Sequence, residues 1–270
     1  MTVPQRPINP PAMGWDCHVH VFDAAHPVQG GHYRPAQHDL ADIESLARVH
    51  GVHHLVLVQP SVYGADNTVL LRALAREPGR HRGVVVVRRD IADAELDRMH
   101  ALGVRGVRFN LVSPVGNGLQ DLTALAPRLR ERGWHVQWYA RAEQLASIAA
   151  LHESTGLTAV LDHLAGLGTA TPPSDPAWTA LRQLAAQGAW VKLSGWYRLQ
   201  ADAPYTQLSC NIQRVATEMR ERLVWGSDWP HTAFSPDDLP DYASVWQPVV
   251  DTLGDALAAR VRAAGAVLYA

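Results

Sequence analysis

The feature that most constrains this chain is a rhythm. Eight short, nearly unbroken apolar runs alternate with stretches of helical period. The runs cover residues 14–22, 53–60, 82–89, 104–112, 135–140, 158–163, 190–195 and 222–229. The amphipathic stretches cover residues 40–49, 67–76, 92–102, 119–132, 142–152, 177–187 and 206–220, with a last helical region over roughly 242–264. Strands that alternate with helices are parallel strands joined by crossovers. Runs such as Leu55-Val56-Leu57-Val58 and Thr158-Ala159-Val160-Leu161 have no polar face, as expected when both faces of a sheet are covered. Eight such units predict a single-domain α/β fold, a closed (β/α)8 TIM barrel over residues 14–270. An open doubly wound sheet is the alternative, weakened because no Gly-x-Gly-x-x-Gly follows the first run. Residues 1–13 hold four prolines and read as an irregular lead-in.

Composition narrows the function. Of 270 residues, 47% are hydrophobic and 19% charged, which suits a folded enzyme-sized chain. A net charge of −2 gives no basic surface for nucleic acid or anionic membrane. Two cysteines, Cys17 and Cys210, exclude a disulfide framework and a cysteine-based zinc module. No run of 18 apolar residues occurs and residues 1–14 lack an apolar signal core, so a cytoplasmic protein is expected; an oligomer is left open. Lys192 is the only lysine. Schiff-base chemistry, or a carbamylated lysine bridging two metals, would depend on it alone. Its mid-strand place points instead to a structural role.

Reactive groups in such a barrel gather where strands end at the C-terminal face. The first run contains Asp16-Cys17-His18-Val19-His20. Strand alternation turns His18 and His20 one way and Cys17 and Val19 the other. Two imidazoles ~7 Å apart along a strand can share a metal ion or a substrate oxygen; two partly buried, hydrogen-bonded histidines are the plainer reading. Run six ends in His163, and run eight leads to Asp228 and His231. If His18, His20, His163 and Asp228 face inward, they form one cluster; a loop or capping acid is the plainer reading of Asp228. Arg108 and Arg198, near the ends of runs four and seven, suit a carboxylate or a polarised carbonyl. Arg105 reads equally well as a structural pair. Ser61 and Tyr63 follow run two and Tyr139 closes run five, each with a hydroxyl to offer or a loop to pack. Trp15, Trp134, Trp190 and Trp225 read as packing, Cys17 as a small buried hydrophobe. His53, His54, His81, His100 and His152 lie at the wrong end of the barrel.

Together these motifs resemble the amidohydrolase superfamily. They are Asp16-Cys17-His18-Val19-His20-Val21-Phe22-Asp23, the Gly-Val-Arg-Gly-Val-Arg-Phe-Asn of run four, Leu161-Asp162-His163, Val191-Lys192-Leu193-Ser194-Gly195 and Trp225-Gly226-Ser227-Asp228-Trp229-Pro230-His231. The likeness runs from about residue 14 to the end. It is greatest to the branch of small-acid and sugar-acid lactonases, the 2-pyrone-4,6-dicarboxylate lactonase type. It implies a hydrolase that opens a lactone, a C–O ester bond, with an Asp-activated water. Asp228 would be the general base, with His18, His20 and His163 lining the carbonyl site. Arg108, Arg198, Ser61, Tyr139 and His231 would hold substrate oxygens. The resemblance favours no required metal; if one divalent ion, zinc or manganese, is used, His18, His20, His163 and Asp228 would hold it. The partner is a small lactone or carboxylate substrate. Two alternatives remain at this stage: a mononuclear zinc or manganese hydrolase or decarboxylase, and a sugar-acid lactone isomerase, to which Gly195-Trp196-Tyr197 has some likeness. One departure concerns the substrate. The branch carries a second basic residue soon after the arginine of run four, whereas residues 111–116 are uncharged here. A substrate with one carboxylate, or an uncharged sugar lactone, is therefore expected. Run four also lacks the lysine that bridges two metals elsewhere in the superfamily, so no binuclear site is expected.

Overall fold

A computed structural model describes residues 14–29, 33–112 and 118–270. The expected lead-in, and most of the uncharged stretch 111–116 after run four, fall outside those residues. Eight strands form one parallel sheet in sequence order: β1 (Gly14–Val19), β2 (Val52–Val58), β3 (Arg82–Val85), β4 (Val104–Asn110), β5 (His135–Tyr139), β6 (Ala159–Leu161), β7 (Trp190–Leu193) and β8 (Leu223–Trp225). The ring closes just beyond β8. The His20 amide donates to the Trp229 carbonyl, and the Asp228 amide to the His18 carbonyl, each at 2.9 Å. The helices are α1 (Leu40–Val49), α2 (Thr68–Leu74), α3 (Asp93–Ala101), α4 (Leu119–Glu131), α5 (Leu145–Thr155), α6 (Ala177–Ala186), α7 (Ser209–Met219), α8 (Gln247–Ala263) and α9 (Gly265–Leu268). The result is a single (β/α)8 barrel, as the alternation implies.

Local sequence explains the helix limits. Asp39 caps α1 by accepting from the amides of Ala41 and Asp42, while Asp42 accepts in return from the Asp39 amide, a reciprocal cap that satisfies otherwise orphaned donors. α5 stops where Gly156 turns left-handed at φ 65°, a conformation that costs glycine little. Every strand is shorter at its C-terminal end than its apolar run. The polar residues there leave the ladder to build the mouth, and two of them, His163 and Asp228, take positive φ of 49° and 63°.

The core has two compartments. Outward strand residues such as Leu57, Val107, Phe109 and Leu161 pack against Ile43, Leu70, Leu125 and Ile148 of the helices. Inside the barrel a smaller apolar group, Trp15, Cys17, Val56, Val58, Val84 and Val224, closes over Tyr269. Tyr269 follows α9 and stacks on Trp15 with ring centroids 6.2 Å apart; Arg82 holds its carbonyl at 2.8 Å. Arg105 lies at this end too, away from the mouth, and donates to backbone carbonyls, that of Ala270 at 3.0 Å among them, not to a barrel acid.

The inner position of Cys17 corrects the simple alternation argument. Asp16 pairs with Leu55 and Val19 with Leu57, so Cys17 and His18 together oppose Val56. This is a β-bulge, which re-aims side chains. It turns the consecutive residues Cys17 and His18 both inward, and His20 follows inward in phase. Cys17 is still a small buried residue, but on the lumen side.

Candidate active site

The mouth turns bring four of the sequence candidates to one point. His18 Nε2 lies 3.6 Å and His20 Nε2 3.4 Å from Oδ1 of Asp228. The His163 ring is 4.9 Å from that of His18, and its Nδ1 meets Ser194 Oγ at 3.0 Å. Two glycines make room for the rings. A Cβ on Gly195 would fall 2.3 Å from His163 Nδ1, and one on Gly226 would fall 2.4 Å from the Cβ of His18. The other oxygen of Asp228 is held tightly, accepting from Tyr197 Oη at 2.5 Å and from Arg198 Nε at 2.6 Å.

The hydrogen positions follow from the partners. His20 Nδ1 is 2.7 Å from the Val58 carbonyl. A carbonyl only accepts, so Nδ1 carries the hydrogen and, in the neutral ring, Nε2 carries a lone pair. His18 Nδ1 faces Oδ1 of Asp162 at 3.2 Å, outside regular hydrogen-bond geometry but close enough that the carboxylate favours the hydrogen on that nitrogen and leaves Nε2 towards Asp228. Three acceptor atoms therefore converge. Burial opposes charge on Asp228, but Arg198, His163, His20 and His18 outweigh it and hold the carboxyl well below the usual range. Asp162 is also buried, and His18, Lys192 and Arg108 hold it well below that range too. Burial lowers His18 well below the ordinary imidazole value against the pull of Asp162. Burial takes His163 and His231 down to about 4 despite the nearby Asp228 carboxylate.

A divalent ion suits this donor set. Donor atoms of His18, His163 and Asp228 lie within 4.8 Å of one another. The separations of 3.4 and 3.6 Å around Asp228 Oδ1 approach the roughly 3.4 Å between neighbouring tetrahedral ligands at zinc bond lengths. The inner atoms His18 Nε2 and Asp228 Oδ1 have no hydrogen-bond partner among the described residues.

Beside this cluster is a cavity of about 190 Å³ whose walls include Ser61, Arg108, Asn110, Tyr139 and Arg198. It adjoins a more open space of about 640 Å³ through Val112, Tyr139 and Arg198. Arg108 stands 5.5 Å from the Tyr139 ring centre, and the Ser61 hydroxyl oxygen accepts from Asn110 Nδ2 at 2.7 Å. Of the substrate-binding candidates, Ser61, Arg108, Tyr139 and Arg198 thus share one wall. His231 is buried against Tyr197 and lines neither space. Tyr63 also turns away, its hydroxyl donating to the Asp23 carbonyl.

Sequence reasoning missed several participants. Asp162 was visible beside His163 but was given no role; it accepts from Gln137 and Arg108 and faces His18. Tyr197 was seen only as part of a motif. Gln137 gave no signal, being a lone amide inside an apolar run. Asp16 was also passed over; it faces away from the lumen, braces the β1–β8 junction through the amides of His18 and Ser227, and accepts from Tyr242 Oη.

A parallel eight-fold barrel whose strand ends carry a His-x-His pair, a third imidazole and a carboxylate defines a hydrolase of the amidohydrolase class. The chain belongs to the amidohydrolase family Amidohydro_2, whose family model matches residues 15–264. It is 33% identical over 248 residues to a 2-pyrone-4,6-dicarboxylate hydrolase of Comamonas testosteroni, covering 86% of this chain and 81% of that protein. It is 32% identical over 241 residues to a 4-sulfomuconolactone hydrolase of Rhizobium radiobacter, covering 86% and 80%. A crystal structure from Pseudomonas putida, assigned as a 2-pyrone-4,6-dicarboxylic acid hydrolase, superimposes with a TM-score of 0.84 at 32% identity over 95% of this chain and 97% of that one. The protein is a lactonase-like hydrolase of this family. Among the described residues, no helix is long and apolar enough to cross a membrane.

Proposed function

We propose that the protein hydrolyses the lactone ring of a small organic or sugar acid, with Asp228 as the base that activates water. One observation carries the reading: Asp228 presents a single bare oxygen, Oδ1, to the Nε2 atoms of His18 and His20 while Tyr197 and Arg198 immobilise the other. A water placed there can give one hydrogen to Oδ1 and be oriented by His18 and His20. Attack of that water on the lactone carbonyl forms a new C–O bond, and its proton passes to Asp228. The ring C–O bond then breaks, and the departing alkoxide or enolate takes the proton back.

Asp228 is ionised at neutral pH but is a weak base, because its environment holds its pKa low. Much of the barrier must therefore be lowered at the developing oxyanion, where a preorganised donor is typically worth ~3–4 kcal/mol. Arg108 is the donor best placed for this, with Ser61, Tyr139 and Arg198 supporting the substrate's carboxylate. A divalent ion, zinc or manganese, would be held by His18, His20, His163 and Asp228, and when bound would supply Lewis-acid polarisation of the carbonyl. The protein's own residues keep their tasks of binding, orientation and proton transfer in either case.

The test is a panel of lactones, neutral, monocarboxylate and dicarboxylate, assayed by acid release with and without chelator, with products identified by NMR. Open-chain acid is expected. A rearranged lactone as product, or no turnover across the panel, would overturn the proposal. Loss of activity with chelator, restored by one equivalent of zinc or manganese, would assign the ion.

A further inference from the structure

The one lysine of the chain lies outside the mechanism just described, yet it is fully buried directly beneath it. Lys192 Nζ donates to the Cys17 carbonyl at 2.8 Å and to Gln137 Oε1 at 2.6 Å, and lies 3.6 Å from Asp162 Oδ1. The Cys17 carbonyl belongs to the peptide that joins the two bulged residues, so the ammonium grips the chain at the bulge that aims His18. Its second contact settles the orientation of an amide. An ammonium has only hydrogens to offer, so Gln137 must turn its oxygen to Lys192 and its Nε2 elsewhere. That Nε2 donates to Oδ2 of Asp162 at 3.1 Å, and Arg108 Nε approaches the same oxygen at 3.4 Å. Oδ1 of Asp162 then faces His18 Nδ1 at 3.2 Å.

We infer that Lys192 is a positioning residue. Acting through Gln137 and Asp162, it fixes His18 as the Nδ1–H tautomer and so keeps the bare Nε2 directed at the reacting atoms. Carboxylates that hold the far nitrogen of a working imidazole are a general device for setting tautomer and orientation. Here the carboxylate has its own anchor one layer deeper. The residue type is significant. Every other basic residue of the 24 is arginine, but this slot calls for a compact group that offers hydrogens in three directions. A planar guanidinium cannot replace it. Without the ammonium, Gln137 is free to rotate and present its oxygen to Asp162. The carboxylate then loses a donor and His18 loses its fixed partner.

The inference rests on His18 facing the reaction, as the proposed function requires, but its main readout does not need a substrate. The ring nitrogens of ¹⁵N-histidine-labelled protein report tautomer directly, with the His18 signals identified by their loss in His18→Gln. In the protein as purified, His18 should show a protonated Nδ1 and an unprotonated Nε2. In Lys192→Met and in Gln137→Met this distinction should blur. With a lactone that is turned over, kcat should fall about 10- to 100-fold while KM stays within about threefold. The double variant should lose no more than Gln137→Met alone, because both act on one chain of contacts. If Lys192→Met does not fold, Gln137→Met carries the test by the same measurements. Unchanged His18 signals with unchanged kcat in Gln137→Met, or losses that multiply in the double variant, would overturn the inference. If no lactone is opened, the proposed function fails, and the tautomer measurement still decides the role of Lys192.

Discussion

The Nε2 of His20 stands 3.4 Å from Oδ1 of Asp228, and with a neutral ring neither atom carries a hydrogen. Two such atoms repel unless a proton, a water hydrogen or a cation lies between them. The Val58 carbonyl holds the ring in this orientation from behind. The barrel thus keeps a small volume of concentrated acceptor character, and the chemistry follows from what fills it.

Asp228→Asn tests that volume with little disturbance of the fold. Asparagine tolerates the positive φ at this position, and its amide can still meet Arg198 or Tyr197 through its oxygen. Activity should fall roughly 10²–10⁴-fold, as for loss of a general base, with the thermal midpoint nearly unchanged. Steady-state kinetics and calorimetry on the same sample check both halves.

Gly195→Ala should harm both stability and turnover. The added methyl would overlap His163 Nδ1, and the left-handed backbone, at φ 59°, is worth ~1–2 kcal/mol against a residue with a Cβ. A lower unfolding midpoint together with reduced kcat is expected; a fully active variant would mean that His163 has no part in the reaction.

Ser61→Ala should separate binding from chemistry. With its oxygen accepting from Asn110, the hydroxyl can turn its hydrogen to the substrate. Losing one neutral hydrogen bond costs about 1 kcal/mol, so KM should rise roughly threefold to tenfold while kcat changes less than twofold.

Acid should weaken the fold in a defined window. Burial lowers His135 to about 3 and His231 to about 4. Unfolded, both titrate near 6.5. Below that value the unfolded chain binds protons that the folded one refuses, so stability falls as pH falls. Each group should cost roughly 2 kcal/mol by pH 5, and His135→Gln should flatten the slope of stability against pH between 6.5 and 4. Urea midpoints measured across that range provide the test.

The architecture was legible because alternation of strand and helix is written into hydrophobic periodicity, and all eight apolar runs became strands. The candidate histidines were legible because His18, His20 and His163 sit where those runs end. What escaped notice has one physical origin. Counting alternate residues assumes an unbroken ladder, and the bulge at Cys17 and His18 breaks it. Likewise Gln137 and Asp162 acquire meaning only when neighbouring strands are set side by side. Gln137 is the register partner of both Arg108 and Val160, relations that depend on the register between consecutive strands separated by whole helices.

The Trp15–Tyr269 stack at the base of the barrel bears on traffic as well as packing. With that end plugged by aromatic rings, the charged interior is a blind shaft among the described residues. Whatever enters, leaves or sheds a proton must use the same aperture, so an opened acid that lingers there obstructs the next molecule.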